Sequence, residues 1–200
     1  MANKQLKQVV TPNGIAVYPH IRTTEVFEGN DSGKYTCGIK LSKEDTDKLI
    51  STIENEWEMA KKMPEMDGKR FGRNTAPSLG FHEDKNGDIV FKAKTNAVIK
   101  TKTGDIIEKD VAVFDKYGKP MEKDVEIGNG STIQLCILLR PFYASSTIYG
   151  VQLLLKGVRV VNFVPAGSDV VSAADCGFEC EQAPAQDFPD DPFIDNGADF

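Results

Sequence analysis

Residues 128–164, GNGSTIQLCILLRPFYASSTIYGVQLLLKGVRVVNFV, limit what this chain can fold into more than any other stretch. Two long runs of β-branched, aliphatic and aromatic residues, 128–143 and 147–164, are separated only by Ala-Ser-Ser. A link that short joins antiparallel neighbours, so the stretch predicts a central hairpin. Ile133, Leu135, Ile137 and Leu139 recur with the period of two that lines one face of a strand. Thr132, Gln134, Cys136 and Arg140 line the other face, with Leu138 among them. Gly128, Gly130, Gly150 and Gly157 fall where a sharply coiled barrel strand bends or bulges.

The rest of the chain is read around that hairpin. VVTPNGIAVYPHI (9–21) and GKYTCGIKL (33–41) have strand composition and are bounded by turn formers. Ser42-Lys43-Glu44-Asp45 then opens a helix, with a serine cap and an acid three residues on. Leu49, Ile50, Ile53, Trp57 and Ala60 follow at helical spacing, which puts Trp57 on the core face, and Pro64 ends the element near Met63. Residues 64–87 read as loop-like, and Asn86-Gly87 places a hairpin between GFHED and DIVFKAKT, with the alternating strand Ile89–Thr95 as its second arm. In that strand Val90, Lys92 and Lys94 face away from Ile89, Phe91 and Ala93. Another apolar run lies in 111–121, and from about Ala166 all periodicity is lost. The expectation is a mainly β domain over 1–165, an OB-fold-like Greek-key barrel of six or seven strands with one substantial helix. A disordered acidic tail over 166–200 would follow it.

Net charge is −6, but its distribution matters more. All 24 Lys and Arg lie at or before Arg159, against 21 acids there, so that part carries +3. Residues 160–200 hold nine acids and no base. A mildly basic body joined to an acidic tail is open to a polyanionic partner. No apolar run is long enough to span a bilayer, and the N-terminus lacks a signal-peptide core, so a cytoplasmic location is expected. Cys37 and Cys136 sit in strand-like runs and are expected to be reduced; Cys176 and Cys180 lack a nearby histidine to complete a zinc set. Phosphate-loop, dinucleotide, zinc-protease and serine-hydrolase signatures are absent. His82-Glu83-Asp84 is read as a solvated loop, and no metal, cofactor or catalytic residue is expected.

What remains is cations interleaved with rings. Residues 61–109 carry 11 bases and seven acids, densest at Lys69-Arg70-Phe71-Gly72-Arg73. Single strands are held by this pairing of devices: cations track phosphates, and rings accept unstacked bases at about 1–3 kcal/mol each. Charge and aromaticity select Arg70, Phe71, Arg73, Lys92, Lys94, Lys100, Lys102, Arg140, Phe142, Tyr143 and Tyr149, then Tyr18, Arg22 and Tyr35. Phe81, Phe91 and Phe114 alternate with aliphatics and are read as core.

The hairpin, with its glycine-flanked first strand, Pro-aromatic corner and YGVxLxLxGVxVV second strand, resembles the signature of phage single-stranded DNA-binding proteins. The early AVYPHI strand, the helix after the second strand and the terminal Asp-Phe fit the same pattern. The resemblance implies an OB-fold that binds single-stranded DNA without sequence preference in phage replication, recombination and repair, inside the infected bacterium. It also implies partners among phage or host replication proteins, such as polymerase and helicase–primase, and a homodimer is an assembly open to it. The tail, ending DFPDDPFIDNGADF, supplies the candidate partner-binding residues Asp190, Asp191, Phe193, Asp195, Asp199 and Phe200. Its internal Asp-Asp-Pro-Phe also resembles the acidic tip of bacterial single-stranded DNA-binding proteins, which leaves two phenylalanines for a partner to read. Two other readings stand beside this one: an interaction protein whose tail mimics DNA on a basic partner, and a metal-dependent nuclease.

Overall fold

The computed structural model describes residues 6–73, 75–101 and 103–167. The chain divides into two units, Met1–Ser168 and Asp169–Phe200, the second outside the described residues. In the first, strands β1 (Lys7–Val10), β2 (Gly14–His20), β3 (Val26–Phe27), β4 (Asn30–Asp31) and β5 (Lys34–Lys40) precede helix α1 (Lys43–Lys61). A single 3₁₀ turn (Pro64–Met66) leads to β6 (Phe81–Glu83), β7 (Ile89–Asn96), β8 (Val98–Lys100), β9 (Ile106–Glu108) and β10 (Ala112–Phe114). The hairpin β11 (Thr132–Ser145) and β12 (Ile148–Asn162) comes last.

The pairings close a ring. β2 pairs β5, β5 pairs β7, β7 pairs β12, β12 pairs β11, and β11 returns to β2. All these contacts are antiparallel except β7–β12, which is parallel and so needs a long crossover. This five-membered Greek-key barrel is the expected OB-type arrangement. β1 extends the sheet along β11, β10 runs parallel to β12, and β6 flanks β7.

The central hairpin is longer than its link suggested. Ala144 and Ser145 remain strand, and only Ser146-Thr147 separates β11 from β12. Ile133, Leu135, Ile137 and Leu139 are all buried, meeting Val151, Leu153, Leu155, Val158 and Val160 from β12. Each such side chain contributes roughly 1.5–3 kcal/mol on burial. Helix α1 begins as its cap requires: Ser42 Oγ accepts the Asp45 amide at 3.2 Å. Leu49, Ile53, Trp57 and Ala60 form its buried stripe against β11 and β12. Phe91 is also core, as its alternation predicted.

Two expectations change. The run 9–21 is two strands, because Thr11-Pro12-Asn13 interrupts the ladder and proline has no amide to donate. Thr11 is buried at the joint; its amide donates to the Leu135 carbonyl and its hydroxyl accepts the Leu135 amide, both at 2.9 Å. Val90, placed by alternation on the polar row with Lys92, is also buried. Gly38 lies opposite that row, and a Cβ there would stand 3.1 Å from Val90 Cγ1, so the missing side chain admits valine. The loops also contain small ribbons, β3–β4 and β8–β9, that composition alone left unassigned.

At Gly150 the chain is tightest: φ is +143° and a Cβ would lie 1.9 Å from the Ser78 carbonyl oxygen. The Val151 amide donates to that same carbonyl at 2.8 Å. Gly150→Ala is expected to lower unfolding free energy by about 2–3 kcal/mol in urea denaturation. Gly118→Ala, at φ +80° with open space around it, is expected to cost only about 1 kcal/mol.

Candidate nucleic-acid interface

The outer face of β2, β5 and β7 forms a groove of about 830 Å³, extended by the β6–β7 turn and by Asn129 and Gly130. Strand register sets its floor. Ile15, Lys40, Val90 and His82 form one cross-strand row; Val17, Gly38 and Lys92 form the next. Gly38 makes the trough, because a side chain there would run into the Val17 carbonyl at 2.7 Å. Both histidines of the chain, His20 and His82, line this groove.

Two of its cations, Lys40 and Lys92, are held by acids. Lys40 Nζ lies 2.5 Å from Asp84 and 3.0 Å from Asp88. The Asp84 hydrogen bond, then that of Asp88, raises the Lys40 pKa, and the Lys40 ammonium holds the Asp84 carboxyl below the usual aspartate range. Asp84 Oδ1 also accepts the Asn86 and Asp88 amides at 2.8 and 3.0 Å. His82-Glu83-Asp84 therefore shapes a turn, and no three-residue metal cluster occurs among the described residues. Lys92 pairs with Glu25 at 2.5 Å. A phosphate chain entering the groove would take the place of carboxylates already near these amines.

A second basic surface sits at the tip of the β11–β12 hairpin. Trp57 stacks on Tyr149 with centroids 5.6 Å apart, and Phe71 meets Trp57, Tyr149 and Tyr143 edge-on at 5.6, 5.0 and 5.8 Å. Tyr143 Oη donates to the Arg70 carbonyl at 3.0 Å, Tyr149 Oη donates to the Thr75 carbonyl, and the Gly72 amide donates to the Ser146 carbonyl at 2.8 Å. The cluster pins the 69–73 loop to the hairpin. Arg70 and Arg73 are exposed, and Lys69 Nζ stands 4.9 Å above the Tyr143 ring.

Against this geometry the family comparison decides what kind of protein this is. Residues 16–163 match the family model described as single-stranded DNA-binding protein, bacteriophage T7. The chain belongs to that family. No curated protein sequence matches it significantly. Among solved structures, gp2.5, a single-stranded DNA-binding protein of bacteriophage T7, matches with a TM-score of 0.63 and 20% identity, covering 90% of this chain and 100% of that one. The single-stranded DNA-binding protein of bacteriophage Enc34, in complex with single-stranded DNA, gives 0.58 and 14% over 80% of this chain and 89% of that one. The same Enc34 protein in a second structure gives 0.57 and 16% over 85% and 89%. At these identities the likeness is one of fold.

Within this phage family member the selected residues separate into groups. Tyr18 and Lys92 line the groove, and Lys94 continues the Lys92 row. Arg70, Phe71, Arg73, Tyr143 and Tyr149 gather at the hairpin tip, while Arg140 and Phe142 share the outer face of β11. Tyr149 is 5% exposed with Trp57 over its ring, so it supports the loop and offers no free face to a base. Phe71 is half-buried in the same cluster. Arg22 turns inward, donating from Nη2 to the Met121 and Glu122 carbonyls at 3.1 and 2.9 Å, and Tyr35 packs against the core. The Lys100 side chain, Lys102, and the tail residues Asp190, Asp191, Phe193, Asp195, Asp199 and Phe200 lie outside the described residues. Lys40, Lys85, His20 and Asn129 were missed, being scattered in sequence and joined only by register. Burial also pushes the Cys37 thiol up to about 12, leaving it an inert core residue.

The Asp84 carboxyl is expected to titrate below the ordinary aspartate range by NMR, held there by the Lys40 ammonium, and Lys40→Met should return its midpoint toward that range. Its folded pKa is depressed, so any stability from the pair is present above the ordinary aspartate pKa and lost as pH falls through the lowered value.

Proposed function

We propose that this protein coats single-stranded DNA without sequence preference during phage DNA replication, recombination and repair in the infected host. The observation that carries this reading is the groove on the outer β2–β5–β7 face of an OB barrel, in a chain of this family. That face of OB-folds is where oligonucleotides lie. Lys40, Lys92 and Lys94 are suited to phosphates there, with Arg70, Arg73, Lys100, Lys102 and Arg140 as further contacts. The protein works by binding, not by catalysis.

The acidic segment 175–200 carries −8 and no base. Its aspartates imitate phosphates and its phenylalanines imitate bases, so it competes with DNA at high effective concentration through its tether. When DNA displaces it, Phe193 or Phe200 with the neighbouring acids becomes available to replication proteins.

An oligothymidylate should bind the full chain with an affinity that falls linearly in log salt. Lys92→Ala and Lys94→Ala are each expected to reduce that slope by about 0.7; a salt-independent affinity, or none at low salt, would refute the proposal. Deleting residues 175–200 should tighten binding at low salt, with the gain shrinking as screening grows. Equal or weaker binding by the truncated chain would rule out competition by the tail.

A further inference from the structure

We infer that Tyr18 is the base-stacking platform of the groove and that Asn129 is the positioning residue holding it there; both roles rest on the single-strand-binding function proposed above. Val17 pairs Gly38 and His20 pairs Thr36, so Tyr18 and Pro19 together oppose Cys37 in a β-bulge. Bulges re-aim a side chain out of the regular pleat. Tyr18 stands at φ +45°, a left-handed conformation that a bulky residue rarely adopts, and it is 71% exposed. Glycine would hold this backbone without strain, yet a phenol ring occupies it at the edge of the groove.

Tyr18 is the only Phe, Tyr or Trp among the described residues lining the groove. Its ring joins no aromatic contact and its hydroxyl no hydrogen bond among the described residues. Tyr143 and Tyr149, by contrast, have their hydroxyls committed to main-chain carbonyls. The ring is therefore free on the face where a base would arrive.

What fixes it is main chain. The Tyr18 amide, turned out of the ladder by the bulge, donates to Asn129 Oδ1 at 2.5 Å. Asn129 lies in a turn anchored on both sides. The Gly130 amide donates to the Ala16 carbonyl at 3.1 Å, and the Ser131 carbonyl accepts the Ala16 amide at 2.8 Å. On the other side the Gly128 amide donates to the Val164 carbonyl at 2.7 Å. A platform held this way is ordered before a base meets it, so binding loses less freedom.

The test uses the full chain, an oligothymidylate probe, fluorescence anisotropy over a salt series, and thermal melting without DNA. Tyr18→Phe should bind like the unaltered protein. Tyr18→Gly should melt at the same temperature or higher, because the strain is gone, yet bind about tenfold more weakly. Its salt slope should not change, since a lost ring releases no counterion. Asn129→Ala should weaken binding several-fold in the unaltered chain and have no effect in the Tyr18→Gly background. Normal binding by Tyr18→Gly overturns the platform. An Asn129→Ala effect that persists in the Tyr18→Gly background overturns the positioning role. If the unaltered chain itself fails to bind, the general function falls and this inference with it.

Discussion

The closure between β11 and β2 is the joint on which the barrel depends. Only two residue pairs make it, Thr132 with Ile15 and Ile133 with Gly14. Around it, Thr11 substitutes its hydroxyl for a strand carbonyl to satisfy Leu135, and the 128–131 turn exchanges main-chain bonds with Ala16. Gly14, paired with Ile133 in this seam, also lets β5 approach from the other side, because a Cβ there would stand 2.4 Å from the Lys40 carbonyl oxygen. Without this seam the ring would be an open sheet with two unpaired edges, a state proteins avoid.

The seam and the groove share residues. The turn that secures β2 to β11 also carries Asn129, and the β-bulge follows within β2. The surface of the groove is therefore set by the element that completes the core. The aromatic cluster at the hairpin tip follows the same logic. Trp57, Tyr149 and Phe71 bury their rings together, and the basic loop is held out in solvent as a result. Of the rings selected from sequence, Phe71 and Tyr149 pack within this cluster, beside the cations of the loop.

Much of the fold was legible because local rules act over short distances. The β11–β12 hairpin, the Ser42 cap, the buried stripe of α1 and the turn after β6 all follow from neighbours a few residues apart. The groove was mostly illegible for the opposite reason. Lys40, His82, Lys92 and Asn129 meet across four separate segments, and no local pattern records which strands become adjacent. The same holds for electrostatics: Lys92 was selected on its charge, and only folding places Glu25 against it.

By itself the sequence determined the class of object: β-rich, with one helix, a basic body and an acidic end, because periodicity and charge are summed along the chain. Tertiary structure alone decided which rings are free. Tyr149 and Tyr18 are the same residue type on barrel strands. One lies beneath Trp57 in the core, and the other is turned out by a bulge whose amide Asn129 accepts. Burial and strain depend on what the folded chain brings alongside, and for these two tyrosines that comes from residues about 90 and 110 positions away.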